Sequence, residues 1–68
     1  MSDHVYKIIE LAGSSMKSTD DAIEKAVAKA GKTLHNLDWF EVQEIRGHIV
    51  DGKVGHYQVK LKIGFRLD

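Results

Sequence analysis

The chain has no cysteine and no proline. Without cysteine there can be neither a disulfide nor a thiolate-held zinc ion, two common supports of a small fold. Basic and acidic side chains balance at 10 each, so no net field draws in nucleic acid. No apolar run approaches the roughly 20 residues that a membrane helix needs. The first residues, MSDH, lack the basic and apolar regions of a signal peptide. Together these absences lead to the expectation of a soluble, cytoplasmic protein. Catalytic signatures are missing too: no Gly-x-Ser-x-Gly elbow, no phosphate loop, no His-Glu-x-x-His and no dinucleotide-binding glycine fingerprint. Gly31-Lys32-Thr33 falls late in a predicted helix, the wrong place for a Walker motif. No enzyme is expected.

What remains is one short domain, residues 1–68. A chain of this size buries only about 60% of its unfolded surface, which leaves a marginal core. With disulfides and thiolate zinc excluded, association with copies of itself is the expected remedy.

Four elements are predicted, in the order β-α-β-β, giving an α+β fold. His4 to Gly13 is rich in β-branched and aromatic residues and reads as the first strand. Ser18 to about His35 reads as a helix, with Ile23, Ala26, Val27, Ala30 and Leu34 forming an apolar stripe. Ser18 or Thr19 can cap it, and Asp20 and Asp21 suit its first turn. Gly31 costs the helix about 1 kcal/mol against alanine, which suggests close packing there. Asn36 suits a left-handed residue beyond the helix end. Asp38 to Val50 and Val54 to Leu67 are two long strands joined by Asp51-Gly52-Lys53.

The last strand carries the clearest pattern. Tyr57, Val59, Leu61, Ile63, Phe65 and Leu67 alternate with Gln58, Lys60, Lys62, Gly64 and Arg66. The strand before it alternates only if a bulge near Gln43-Glu44 brings Phe40, Val42, Ile45 and Ile49 to one face. Trp39, Glu41, Glu44, Arg46 and His48 then lie on the other. For that set to join the polar face of the last strand, an odd-length turn is needed, most simply three residues with Gly52 left-handed. Trp39 then lies by Gly64, and Arg46 by Gln58. A right-handed crossover places the last strand centrally, in the order 1-3-2. The helix is expected to cover the apolar face, leaving the polar face open.

Trp39 on that open face reads either as an interface residue or as a stacking platform for a flat ring, shared between two copies across a twofold axis. Gln58 is a solvated strand residue or an amide that can pair with an imide edge. Arg46 is a surface ion-pair partner of Glu41 or Glu44, or a fork for phosphate. The histidines His4, His35, His48 and His56 have no i,i+4 or i,i+2 spacing, so no metal site is expected. Glu10, Glu41 and Glu44 offer the alternative of a calcium ligand set. A nucleic-acid reading of Lys60, Lys62 and Arg66 finds only Trp39 as an interleaved aromatic.

Three stretches carry a family resemblance: HVYKIIELAGSS (4–15), KTLHNLDWFEVQEIRG (32–47) and YQVKLKIGFRL (57–67). Along nearly its whole length the chain resembles the dodecins, small flavin-sequestering proteins. The resemblance implies a three-stranded sheet wrapped around one helix, assembled as a hollow homododecamer. It implies flavin storage and buffering, with photoprotective quenching by an indole stacked on the ring. FMN or riboflavin is the implied ligand, with FAD and lumichrome as variants. Trp39 would stack, Gln58 would bond the ring edge, Arg46 would meet the FMN phosphate and Asp38 would stand beside the stack. Some bacterial members also hold coenzyme A. The matching positions here would be Val5, Tyr6, Lys7, Lys29, Thr33, Leu34, His35, Arg66, Leu67 and Asp68. Lys29 and His35 stand where relatives can carry arginine.

Overall fold

The computed structural model describes residues 3–67. Its elements are β1 (Val5–Ser15), α1 (Thr19–Gly31), β2 (Leu37–Val50) and β3 (Lys53–Leu67). They form one antiparallel sheet in the order β1-β3-β2, the order expected from a right-handed crossover. Against the expected bounds, β1 runs two residues further, pairing Ser14 with Gln58 and Ser15 with Tyr57. The helix is shorter than predicted. It ends at Gly31 with Lys32 as its cap, and the chain then tightens so that the Leu34 amide bonds the Ala30 carbonyl at 3.0 Å. Leu34 packs against the core from this connection rather than from the helix. Asn36 has a φ of 62°, the left-handed conformation expected of it.

The core is α1 laid on β3 and β1. Val59, Leu61 and Ile63 are fully buried beneath Ala22, Ala26 and Ala30. Close approach of helix to sheet rests on Gly13, not on Gly31. A Cβ on Gly13 would overlap the Ala22 carbonyl and come within 3.0 Å of the Ala26 Cβ, whereas one on Gly31 would make only ordinary contact.

The entry to α1 is fastened at Ser15, which is buried. Its hydroxyl donates to Asp21 Oδ2 at 2.5 Å and accepts from the Lys17 amide at 2.9 Å. Ser18 is the N-cap, accepting from the Asp21 amide at 3.0 Å. Lys25 stands 3.1 Å from the same carboxylate. The Ser15 hydroxyl, and after it Lys25, holds the Asp21 carboxyl below its ordinary value of 3.8. A carboxyl lowered in the folded state adds stability above its unfolded value, and that stability is lost as pH falls through the folded value. Asp21→Asn is therefore expected to lower stability near neutral pH and leave it little changed in strong acid. Urea melts across the acid range would read this as a flattened acid limb.

Three irregularities set the faces of β2 and β3. The register slips at Gln43, between Val42–Leu61 and Glu44–Lys60, where the broken alternation places a bulge. A second slip skips Asp38, between Leu37 and Trp39. The third corrects the expected hairpin. Val50 pairs with Lys53, so the turn has two residues, Asp51 and Gly52, both with positive φ (51° and 75°) as a type I′ turn demands. The odd offset comes instead from Gly55, passed over between Ile49–Val54 and His48–His56.

The helix covers β1, β3 and the start of β2 at Leu37 but leaves the rest of β2 open, contrary to expectation. Phe40, Val42, Ile45 and Ile49 share the side of the sheet that holds α1, yet are between 37% and 78% exposed. The subunit is 55 Å long, and its hairpin arm reaches past the helix. A 13-residue helix of about 20 Å cannot span that arm. The apolar flank of β2 is left for something other than this chain to cover.

Candidate functional site

On the open face, cross-strand pairing places side chains in rows. Trp39 faces Gly64, Glu41 faces Lys62, Glu44 faces Lys60, Arg46 faces Gln58 and His48 faces His56. Tyr6, Ile8, Glu10 and Ser14 continue these rows on β1, opposite Arg66, Gly64, Lys62 and Gln58.

Trp39 lies flat over Gly64. A Cβ built there would overlap the indole at Cζ2, Cη2 and Cε2. Glycine thus forms a shelf for one side of the ring, and the residue keeps 40% of its surface exposed. Tyr6 closes one edge, with ring centroids 5.1 Å apart at 67°. Such an edge-to-face contact fixes the tilt of the indole at a gain of about 0.5–1.5 kcal/mol. The resemblance gives Tyr6 a place in the coenzyme A set; its contact with Trp39 comes from the β1–β3 register, which is not readable from β1 alone. Gly64→Val is expected to displace the indole while the fold persists, read as a change in Trp39 fluorescence in the free protein.

Arg46 and Gln58 meet as expected: Arg46 Nε donates to Gln58 Oε1 at 2.7 Å. Arginine can only donate, so this bond orients the amide and presents its NH2 group outward as two donors. Arg46 Nη1 also lies 3.7 Å from Glu44 Oε1. Asp38 sits in its bulge and lines a hollow of about 130 Å³ together with Trp39, Val27, Leu37, Phe40 and Ile63.

The site residues form two groups, not one. Gly64 under Trp39 and Gln58 beside Arg46 are six residues apart on β3, about 20 Å at the strand rise. A ring stacked on Trp39 cannot reach the Gln58 of the same chain. Joining the two groups takes a second copy running the opposite way.

The remaining candidates divide. Val5, Lys7 and Leu67 lie on the helix side of the sheet end, while Tyr6 and Arg66 lie on the open side. Lys29 is in the last turn of α1, and Thr33, Leu34 and His35 follow it. The Arg66 amide bonds the Asn36 carbonyl at 3.0 Å, which ties this connection to the end of β3. Asp68 lies outside the described residues. The carboxylates proposed for calcium are interleaved with cations. Glu10 is 3.9 Å from Lys60, Glu41 faces Lys62, and Glu44 reaches Arg46. Among the described residues no three carboxylate, imidazole or thiol groups converge as a metal site. None of the described helices is long and apolar enough to cross a membrane.

No histidine pair is visible in the spacing along the chain, yet the Gly55 bulge creates one. His48 and His56 face each other with ring centroids 4.5 Å apart.

A single helix on a three-stranded sheet, with one flank of that sheet bare and a shelved indole on the open face, defines a small ligand-binding module that associates with its own copies. The dodecin family model matches residues 5–68. The dodecin of Thermus thermophilus is 55% identical over 64 residues, which cover 94% of this chain and 93% of that protein. The solved dodecin from Streptomyces coelicolor superposes with a TM-score of 0.94 at 51% identity, covering 100% of this chain and 97% of that one. A calcium dodecin from Mycobacterium tuberculosis, described as calcium chelating, is more distant: TM-score 0.82 at 26% identity, with coverage of 94% and 91%. The chain belongs to the dodecin family.

Proposed function

We propose that this protein binds and sequesters a flavin, FMN or riboflavin, in a homododecamer, and that it buffers the free pool without turning it over. The observation that carries the reading is the geometry of Trp39. One side of the indole rests on Gly64, its edge is fixed by Tyr6, and the residue keeps 40% of its surface exposed. A π-surface held in this way is suited to a planar heterocycle. The outward NH2 of Gln58, supplied by a second copy, suits the carbonyl edge of an isoalloxazine. Membership of the dodecins supports the same conclusion. An indole stacked on an excited flavin can donate an electron to it, so binding quenches flavin emission and limits photochemistry. Cytoplasmic storage and photoprotection follow as roles.

Coenzyme A is a second ligand of this proposal, held where the ends of β1 and β3 meet the connection after α1. Calcium is less well supported, because lysines and Arg46 separate the three carboxylates.

The test is a titration of riboflavin and of FMN with the purified protein, following flavin emission alongside light scattering. Strong quenching that saturates at a fixed ratio of flavin to chain, on a particle of about twelve subunits, is the expected outcome. Undiminished emission at saturating protein would refute the flavin reading.

A further inference from the structure

A line of three aromatic rings runs away from the stacking surface, and flavin stacking uses only the first of them. Trp39 meets Tyr6 with ring centroids 5.1 Å apart at 67°, and Tyr6 meets His4 at 6.3 Å and 70°. Tyr6 lies on the open face of β1, and His4 stands just before that strand. Both are exposed to solvent. We infer that Tyr6 is a reserve electron donor to Trp39, with His4 taking up its proton, so that a tryptophan oxidised by light is restored before it is destroyed. The inference rests on the flavin reading above.

The need follows from the quenching step. Trp39 gives one electron to the excited ring and ordinarily takes it back. If dioxygen carries that electron off as superoxide first, Trp39 is left as an indole radical cation. Water and dioxygen then convert it irreversibly to hydroxylated and ring-opened products. Trp39 is the only tryptophan of the chain, and there is no cysteine to supply an electron. Tyr57, the other tyrosine, lies on the helix side of the sheet, seven residues from Gly64 along β3, about 23 Å at the strand rise. Met16 follows Ser15 at that same far end, where Ser15 pairs with Tyr57. Tyr6 is the oxidisable side chain in ring contact with the indole. A phenol that loses an electron becomes strongly acidic, so its electron and proton leave together. Tyr6 passes one electron to Trp39 and its hydroxyl proton to a ring nitrogen of His4, a type of side chain that accepts protons near neutral pH. The indole is restored, and Tyr6 is left as a neutral radical beside an imidazolium. Exposure lets a soluble one-electron reductant, a thiol or ascorbate, reach this pair. The reductant supplies the electron, the proton returns from His4, and both side chains regain their starting state.

Tyr6→Phe keeps the ring and its edge-to-face contact but removes the hydroxyl proton, so a purely positioning role would leave this variant unaltered. The experiment illuminates the riboflavin-loaded protein in air with ascorbate present and measures oxidised Trp39 by peptide mass spectrometry. In Y6F, riboflavin affinity and emission quenching are expected to match the native protein, while Trp39 oxidises severalfold faster. Equal oxidation in the two proteins would overturn the proposal. His4→Phe is expected to fall between them, and a native rate in that variant would overturn the role given to His4. A second measurement needs no flavin. A soluble ruthenium photo-oxidant takes an electron from Trp39 of the free protein in a flash, and transient absorption follows the radicals. The indole radical is expected to decay as a tyrosyl radical grows in the native protein, and to persist in Y6F. The same indole-radical lifetime in both would overturn the inference. Transfer seen here, with riboflavin failing to bind in a titration, would sink the flavin reading alone.

Discussion

Trp39→Ala is expected to remove most flavin affinity and nearly all quenching while leaving the particle assembled. The indole is 40% exposed and is not among the buried core residues. Its ring contacts are with Gly64 and Tyr6 on the open face, so its removal takes little from the fold. Stacking of a heterocycle on an aromatic side chain contributes about 1–3 kcal/mol by alanine substitution. Two indoles meeting around a twofold axis would each lose that contribution. The affinity should therefore fall by about two orders of magnitude or more. Isothermal titration of riboflavin gives the loss, and light scattering on the same sample shows whether assembly survives. Native affinity in the variant would mean that flavin, if bound, is held elsewhere.

The second large effect is expected from a residue that touches no ligand. Ile45 lies on the bare flank of β2, opposite Val59, and is 59% exposed in the single chain. Burying such a side chain contributes about 1.5–3 kcal/mol. Ile45→Glu would instead place a carboxylate against apolar neighbours in every interface of the particle, a cost repeated in each copy. The variant is expected to dissociate into small, weakly folded species, seen as a collapse of scattering mass and of thermal stability. Flavin quenching should vanish with the assembly, although Trp39, Gln58 and Arg46 are untouched. A monomeric variant that still quenched flavin would show that one chain carries a whole site. That outcome would contradict the 20 Å separation of its two halves.

Sequence pattern reached the centre of the sheet and faltered at its margins. The alternation of β3 set its two faces. The broken alternation of β2 located the Gln43 bulge, and the pairings Trp39–Gly64 and Arg46–Gln58 followed from those two facts. The hairpin resisted because parity has two solutions. An odd turn and an even turn with a bulge give the same offset, and pattern cannot distinguish Gly52 from Gly55 as its source. Helix coverage resisted for a different reason. Phe40, Val42, Ile45 and Ile49 read as core because they are apolar and in phase, but α1 does not extend far enough to bury them. The Tyr6–Trp39 contact and the His48–His56 pair were missed because each depends on a contact between strands. The shelf under Trp39 was foreseen from a glycine opposite an aromatic. The separation of that shelf from Gln58 became apparent only once the register was known.

The most direct test is a crystal structure of the protein grown with riboflavin. The isoalloxazine should lie on the side of Trp39 turned away from Gly64, between indoles of two subunits. Its carbonyl edge should be within hydrogen-bond distance of a Gln58 that belongs to a different subunit from the tryptophan beneath it. Flavin density remote from every Trp39, or a ring contacted by the residues of one chain only, would contradict the shared clamp.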